Sequence, residues 1–382
     1  GLAAARQGCR AVLIQNRPVL GGNASTEIGV NPAGAYAGGV NYYSLETGII
    51  RELLRRKVPH FTWDQILSQA VEEEKNLTCF LNTQATRPHL DSSGRIAAVE
   101  GINLITGQRH LFRGQIFLDC TGDGDVAVRA GAAYRHGREN REEFKESLAP
   151  PVADRRTMGT TLMFQSAPEP HPVIFERPKW AHAFPTPADI LHRRIGTRSG
   201  GFWWIEYGGT LNTVLDAEEI RDELLRLAYG VWDFIKNRYP PTHHKCRNRA
   251  LHKVGYIAGK RESRRLMGDY ILTQNDLESN PPFVDRVAYG GWPIDLHAPK
   301  GLFDPGFPNL QKYIEPYNIP FRCLYSRNVE NLMFAGRHIS VSHVALGSTR
   351  TINTIAVCAQ AIGTAASLCL KYDLTPRQLS EQ

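Results

Sequence analysis

The sequence predicts an α/β protein: a parallel, Rossmann-like sheet whose first strand is missing from the chain, interrupted by a long α+β insertion. Three observations carry that prediction. The chain opens on a helix former, Gly1-Leu-Ala-Ala-Ala-Arg-Gln-Gly8, and passes at once into a short apolar strand, Arg10-Ala-Val-Leu-Ile14. That order is the tail of a βαβ unit. An apolar strand at 115–119 runs into the turn Thr121-Gly-Asp-Gly124, and another, Asn331-Leu-Met-Phe-Ala-Gly-Arg337, leads to a long Ala- and Gly-bearing helix. Between them lies a stretch with no second phosphate-type glycine turn and with five of the six tryptophans.

The first element sets the register of the rest. Gly8 suits the end of the opening helix, and the strand closes at Gln15, 14 residues after Gly1. In a dinucleotide-binding unit the acidic residue at that strand end lies roughly 20 residues beyond the glycine turn. The turn's third glycine is therefore expected about four residues upstream of Gly1, one helical turn, and the chain opens inside the unit. Gln15 and Asn16 stand where an acid is customary; an amide can still bond a ribose hydroxyl, though more weakly than a carboxylate.

Helical spacing of Phe61, Trp63, Ile66, Leu67 and Ala70 predicts a helix over 61–75, and short strands are expected at 78–81, 96–102 and 109–113. The charged, proline-bearing stretch 139–156 marks the exit from the first segment. The domains expected are thus 1–145, an insertion at 146–325, and a closing segment at 326–382. Within the insertion, 200–209 reads as a strand with glycine-rich ends and 218–236 as an amphipathic helix whose capping starts at Asp216. A helix over Gly259–Arg265 would place Arg261 and Arg264 or Arg265 on one face.

Composition narrows the function classes. Of 382 residues 42% are hydrophobic and 22% charged, which excludes disordered, collagen-like and coiled-coil chains. The net charge of +7 is spread out, and its densest knots, 51–57 and 260–265, lack the interleaved aromatics that single-strand binding wants. Nucleic acid is not expected as a partner; a small molecule is. The seven cysteines are scattered without CxxC spacing, so no disulfide framework, iron–sulfur cluster or other metal site is expected, and a reducing, cytoplasmic setting fits. No apolar run of about 20 residues is evident, so no membrane span is expected. Any leader would lie upstream.

Arg17-Pro-Val-Leu-Gly-Gly-Asn-Ala-Ser25, directly after the strand, resembles the FAD-dependent oxidoreductase family of glycine-doublet flavoproteins, fumarate-reductase-like and heterodisulfide-reductase-A-like. Gly29-Val-Asn-Pro-Ala-Gly-Ala-Tyr-Ala-Gly-Gly39 is similar to the loop that passes the flavin ring in that family. Gly259-Lys-Arg-Glu-Ser-Arg-Arg265, Gly268 to Thr273 and Tyr289 to His297 extend the likeness through the insertion.

The resemblance implies an FAD/NAD(P)-binding Rossmann-like domain and FAD contacts along its length. Near the opening these are Gln15, Arg17, Gly21, Gly22, Asn23 and Ser25, with the doublet's backbone pressed on a diphosphate or ribitol, then Gly38 and Gly39. Ala85 and the turn residues Thr121 and Gly122 follow, with Asp123 capping the next helix. In the closing segment they are Gly336, Arg337, Gly347, Ser348 and Arg350. There Gly347-Ser348 is expected to open a helix through about Lys371, aiming its N-terminus at the flavin pyrimidine.

The expected activity is hydride transfer between flavin N5 and a small polar, carbohydrate-like substrate, with the cofactor carrying the chemistry. His297 is the candidate acid/base and Arg261 the group that polarises the substrate oxygen. Against those roles stands a structural one: a histidine satisfied by a backbone carbonyl and an arginine paired with Glu262 or Asp269. His343, with His338, is the next candidate. Two rival functions remain open from sequence: an RNA-modifying flavoprotein, suggested by the positive charge, and a fragment keeping the fold without flavin.

Overall fold

The computed structural model describes residues 1–35, 46–56, 61–190, 193, 195, 202–306 and 309–382. Helix α1 (Leu2–Arg6) stops at Gln7, with Gly8 beyond it at φ +90°, and the chain turns into β1 (Ala11–Ile14). Two helices follow, α2 (Gly48–Arg55) and α3 (Trp63–Glu72). The start of α3 is fixed by a reciprocal cap in which Thr62 and Gln65 each accept the other's backbone N–H. β2 (Leu77–Phe80) returns parallel to β1, with Ala11 opposite Leu77. Next, β3 (Thr83–Leu90), β4 (Ile96–Asn103) and β5 (Arg109–Arg113) form an antiparallel meander. The first of these was not anticipated, because Arg87-Pro-His89 breaks the alternation a strand shows. The segment ends with β6 (Phe117–Asp119), α4 (Asp125–Arg129), β7 (Tyr134–His136) and α5 (Arg141–Phe144).

The middle of the chain is built from short antiparallel pairs. β8 (Thr160–Thr161) and β9 (Phe164–Pro168) come first, then β10 (Glu206–Tyr207), which pairs with β8. The long helix α6 (Ala217–Asp233) runs on through a π-helical turn at 234–238 to α7 (Pro240–His243), and β11 (Arg249–Val254) pairs with β9. β12 (Arg264–Leu266) pairs back to β7 of the first segment. After α8 (Gln274–Ser279) come β13 (Arg286–Gly290), β14 (Ile294–His297), β15 (Asn309–Lys312) and β16 (Tyr317–Pro320), paired β13 to β16 and β14 to β15. The closing segment holds β17 (Leu332–Phe334), parallel to β6, then α9 (His343–Thr349), α10 (Ile352–Tyr372) and α11 (Pro376–Ser380).

Among the described residues two large apolar cores organise these pieces, with a small third cluster of Leu53, Ile66 and Ala70 joining α2 and α3. One gathers α4, β4, β16, β17, α9 and α10 around Phe334, Tyr325, Ile294 and Ile362. The other is aromatic and lies under α6, where Phe164 stacks on Phe202 with Trp204 and Trp232 beside them. Residues 266–294 and 317–325, which the sequence boundaries assign to the insertion, pack into the first core.

Three local expectations are corrected. Residues 259–265 form no helix: Arg264–Leu266 is a strand, held by its ladder to Tyr134–His136. Gly347 does not open the last helix but lies inside α9, and the chain bends before α10 starts. By length and composition α10 could cross a membrane, a run the sequence reading overlooked because Asn353, Thr354 and Gln360 interrupt it. Here it packs on α1, α2 and β13, and Gly363 lets α1 approach so closely that a Cβ would stand 2.8 Å from Ala3 Cβ.

Candidate active site

The loop after β1 is shaped first by its own side chains. Gln15 donates from Nε2 to Val19 O at 2.8 Å, and Arg17 grips Glu27 with two bonds of 3.0 and 2.6 Å. Both thus have internal partners. The glycine doublet splits in role. Gly21, at φ +112°, faces Trp63 and Leu67 of α3, where a side chain would be crowded, so its bareness serves packing rather than a ligand. Gly22, at φ +54°, has nothing within 4 Å of a would-be Cβ and is the member that leaves open room. Ser25 is buried, its N–H on Gly22 O, and Asn23 reaches across the molecule to donate to Lys260 O at 3.0 Å. Gly38 and Gly39 lie outside the described residues. Ala85 sits on β3, packed on the first core.

Lys260 connects that loop to the second turn. Its ammonium lies 2.8 Å from Asp123 Oδ2, while Arg337 Nη2 bonds Asp123 Oδ1 at 2.6 Å and its Nη1 bonds Ser263 Oγ. Burial pushes the Asp123 carboxyl up, but the two cations outweigh it and hold it well below the ordinary range. Asp123 is therefore not the helix cap expected of it. The capping position of α4 is Gly124, and Thr121 Oγ accepts the N–H of Asp125. Gly122 leaves room for the Arg337 guanidinium, 3.2 Å from a would-be Cβ, and Gly336 does the same for His338. Asn23, Thr121, Gly122, Gly336 and Arg337 are thus brought together from three distant segments.

The junction of α9 and α10 differs. A Cβ on Gly347 would lie 3.0 Å from Leu296 Cδ2 and 3.1 Å from the Asp295 nitrogen, so this glycine accommodates β14 and does not face an open site. A side chain there would collide with β14 whether or not a cofactor is bound. Ser348 is also spoken for, bonding Tyr317 Oη at 2.7 Å and donating to Trp292 O. The helix end without a side-chain cap belongs instead to α10. Thr351 stands at its N-cap without a side-chain cap bond, and the next turn holds Asn353, wholly buried. Asn353 Nδ2 and Oδ1, Thr349 Oγ, Arg350 Nε and Glu46 Oε2 are all buried without hydrogen-bond partners among the described residues. Buried polar groups are normally paired, so this grouping of orphans is a candidate place for a polar ligand. A flavin pyrimidine, rich in carbonyl and N–H groups, fits that donor set and the positive helix end.

Beside this junction runs a chain of charge that joins both catalytic candidates. Arg350 bonds Asp295, through the carboxylate and the backbone carbonyl, at 3.1 Å. Asp295 Oδ2 lies 2.9 Å from His297 Nε2, and the other ring nitrogen, Nδ1, lies 2.6 Å from Glu206 Oε1. Glu206 in turn meets Arg261 Nη2 at 2.7 Å, and Arg261 also holds Gly159 O, Thr161 Oγ and Trp203 O. The ring of Trp203 stands edge-on to His297, centroids 5.5 Å apart. His297 is thus the end of a strand rather than of a turn, and its partners are two carboxylates, not a backbone carbonyl. Arg261 pairs with Glu206, not with Glu262 or Asp269. Burial raises the Asp295 carboxyl, but His297 and Arg350 more than reverse this and keep it ionised. The Glu206–His297 approach is too oblique for a full hydrogen bond, which leaves both atoms able to take a further partner.

His343 belongs to another cluster. Its Nδ1 lies 3.0 Å from both Glu262 oxygens, its N–H donates to Glu139, and Arg265 spans to Glu139. His338 is fully buried with Nε2 on Asp119 O. Among the described residues no His, Cys, Asp and Glu group of three or more is placed to hold a metal.

Sequence reasoning missed Glu206, Asp295, Asn353 and Glu46. Asp295 had a signal: two residues from His297 on a strand, it shares that residue's face. The other three are joined to the site only by tertiary contacts.

Comparison with known proteins adds the following. The sequence model of a family described as FAD dependent oxidoreductase matches residues 1–382. No curated protein matches the sequence. Among solved structures, a variant of Escherichia coli quinol fumarate reductase FrdA aligns over 96% of this chain and 68% of its own, at 11% identity and a TM-score of 0.34. Sdh1 of Mycobacterium smegmatis aligns over 97% and 67%, at 13% identity and 0.37. A variant of Pseudomonas aeruginosa PqsL aligns over 100% and 85%, at 11% identity and 0.36. Likeness at these scores carries no argument about the chain; the family match does.

Proposed function

The chain belongs to the FAD dependent oxidoreductase family, and on that premise we propose that it moves a hydride between the flavin and a small polar substrate carrying a hydroxyl or carbonyl. FAD, when bound, supplies the two-electron acceptor or donor. Gly22, Asn23 and the turn at Thr121–Gly122 would hold its diphosphate side, with the N-terminus of α10 receiving the ring's polar edge.

The rest falls to the protein's own side chains. Oxidising a carbon that bears a hydroxyl releases a proton from oxygen as the hydride leaves carbon. Arg261 is the cation placed to bind that oxygen and stabilise negative charge on it. Glu206 and His297 hold the proton, taken at the Glu206 carboxylate and shared with His297 Nδ1. Asp295, kept ionised by His297 and Arg350, fixes the imidazole from the far side. Trp203 at the rim shields the pair from water.

The observation that carries this reading is the continuous run Arg261–Glu206–His297–Asp295–Arg350, which ends beside the N-terminus of α10. The test is anaerobic titration of the FAD-loaded protein with hydroxy acids, polyols and reducing sugars. Bleaching of the flavin absorbance by at least one class is expected; reduction by dithionite but by none of them would overturn the substrate class.

A further inference from the structure

We propose that Asn353 and Glu46 form a two-residue clamp for the uracil-like edge of the flavin, in which Asn353 pairs with the ring N3–H and a neighbouring carbonyl and Glu46 donates to a carbonyl. The inference rests on the reading that FAD is the cofactor and deepens it by assigning its polar edge to named side chains. Asn353 lies in the first turn of the 21-residue α10, has no exposure, and has the Glu46 carboxyl as its polar neighbour, but among the described residues neither amide atom makes a hydrogen bond of full geometry. Its backbone is fixed, because its N–H donates to Ala33 O at 3.0 Å.

Glu46 faces it from just before α2. One oxygen accepts the Ala35 N–H and the other, Oε2, has no hydrogen-bond partner among the described residues. The side chain is almost fully buried beside Gly34, whose bare Cα makes the space: a Cβ there would fall on the Glu46 carboxylate and 2.6 Å from Asn353 Cβ. Burial pushes the Glu46 carboxyl above its ordinary value, toward the form that donates, while the backbone N–H groups of Ala35 and Glu46 itself, the Asn353 amide and, least, Arg51 draw it partly back. A neutral acid donates where a carboxylate cannot.

A uracil-like edge presents acceptor, donor, acceptor in line. A primary amide offers one donor and one acceptor side by side, and a protonated carboxyl offers the second donor. The unpartnered atoms of Asn353 and Glu46 are the complement of that edge, and each would otherwise remain a buried polar group without a bond. A phosphate or a carboxylate would match neither the amide acceptor nor the acidic neighbour.

The clamp is tested on the ligand as well as on the protein, with no need for turnover. Flavin-stripped protein is titrated with FAD and with 3-methyl-FAD, which lacks the N3–H, and binding is read from the quenching of flavin fluorescence. The parent is expected to bind FAD at least tenfold more tightly than the methylated form. Asn353→Ala should shrink that preference to less than threefold, Glu46→Leu should weaken FAD at least fivefold, and Glu46→Gln, which keeps a donor, should hold within threefold of the parent. Equal binding of the two flavins by a parent that takes up FAD normally would overturn the clamp and leave the cofactor reading standing. A parent that takes up neither flavin would overturn both.

Discussion

Two polar regions, one partly buried around Asp123 and one buried at the α9–α10 junction, differ in how completely they are satisfied among the described residues. Around Asp123, Lys260 and Arg337 share one carboxylate, Ser263 takes the other terminal guanidinium nitrogen, and no buried side-chain atom of the four is without a partner. At the α9–α10 junction, Thr349, Arg350, Asn353 and Glu46 each keep a buried atom without a partner. An unmade hydrogen bond costs about 1–3 kcal/mol. The first region is therefore scaffold that tethers the glycine turns to one another. The second carries unmade bonds among the described residues, which is what the proposed cofactor contact would complete.

The largest expected effect breaks the first region. Asp123→Ala leaves two partly buried cations facing each other without a carboxylate; breaking a fully buried ion pair costs about 3–5 kcal/mol, and partial exposure of Lys260 and Arg337 places the expected loss at about 2–3 kcal/mol. Urea unfolding measures it; a loss under 1 kcal/mol would show the cluster to be incidental. Acid probes the same scaffold. Asp119, in the strand before the turn, is buried, which pushes its carboxyl up, but His338 and the N–H groups of Ala127 and Thr121 bring it from 3.8 down to about 2. A carboxyl lowered by folding contributes stability above its unfolded value and loses it as pH falls through the folded one. About 2 kcal/mol should thus disappear between roughly pH 4 and pH 2, and Asp119→Asn should flatten that slope in chemical unfolding. The smallest effect sharpens the contrast. Asn353→Leu in the flavin-free protein should cost less than about 1 kcal/mol, since the amide it removes makes no side-chain bond there; a cost like that of Asp123→Ala would make the junction scaffold too.

Legibility in the sequence follows the same divide. The opening helix and strand, the two later strands of the meander and the strand at 332–334 were readable because local alternation and turn residues specify them, as was the likeness carried by Arg17–Ser25; the expected strand at 78–81 exists but pairs with β1 outside the meander. The Asp123 cluster was half readable. Asp-Gly in a turn pointed to a helix cap, but the carboxylate's partners come from positions 260 and 337, and no local pattern announces a contact so far away. Gly347 shows the opposite failure. Gly-Ser-Thr-Arg-Thr-Ile reads as continuous helix; the break before Ile352 comes from Arg350 turning to Asp295 and Asn353 N–H turning to Ala33 O. His297 and Arg261 were picked out separately, each by its motif. Glu206, which joins them, sits in an aromatic stretch where a lone acid gives no signal.

The central claim is that the run from Arg261 to Arg350 handles the proton of the reaction, and rapid-mixing flavin reduction by an active substrate, at single turnover, tests it most directly. His297→Ala and Glu206→Gln should each slow reduction about a hundredfold or more at unchanged FAD content, the scale of lost acid–base catalysis, and flatten its pH profile, while His343→Ala stays within a few-fold of the parent. Parental rates in both variants, with His343→Ala slowed a hundredfold, would move the proton to the His343–Glu262 pair and contradict the account.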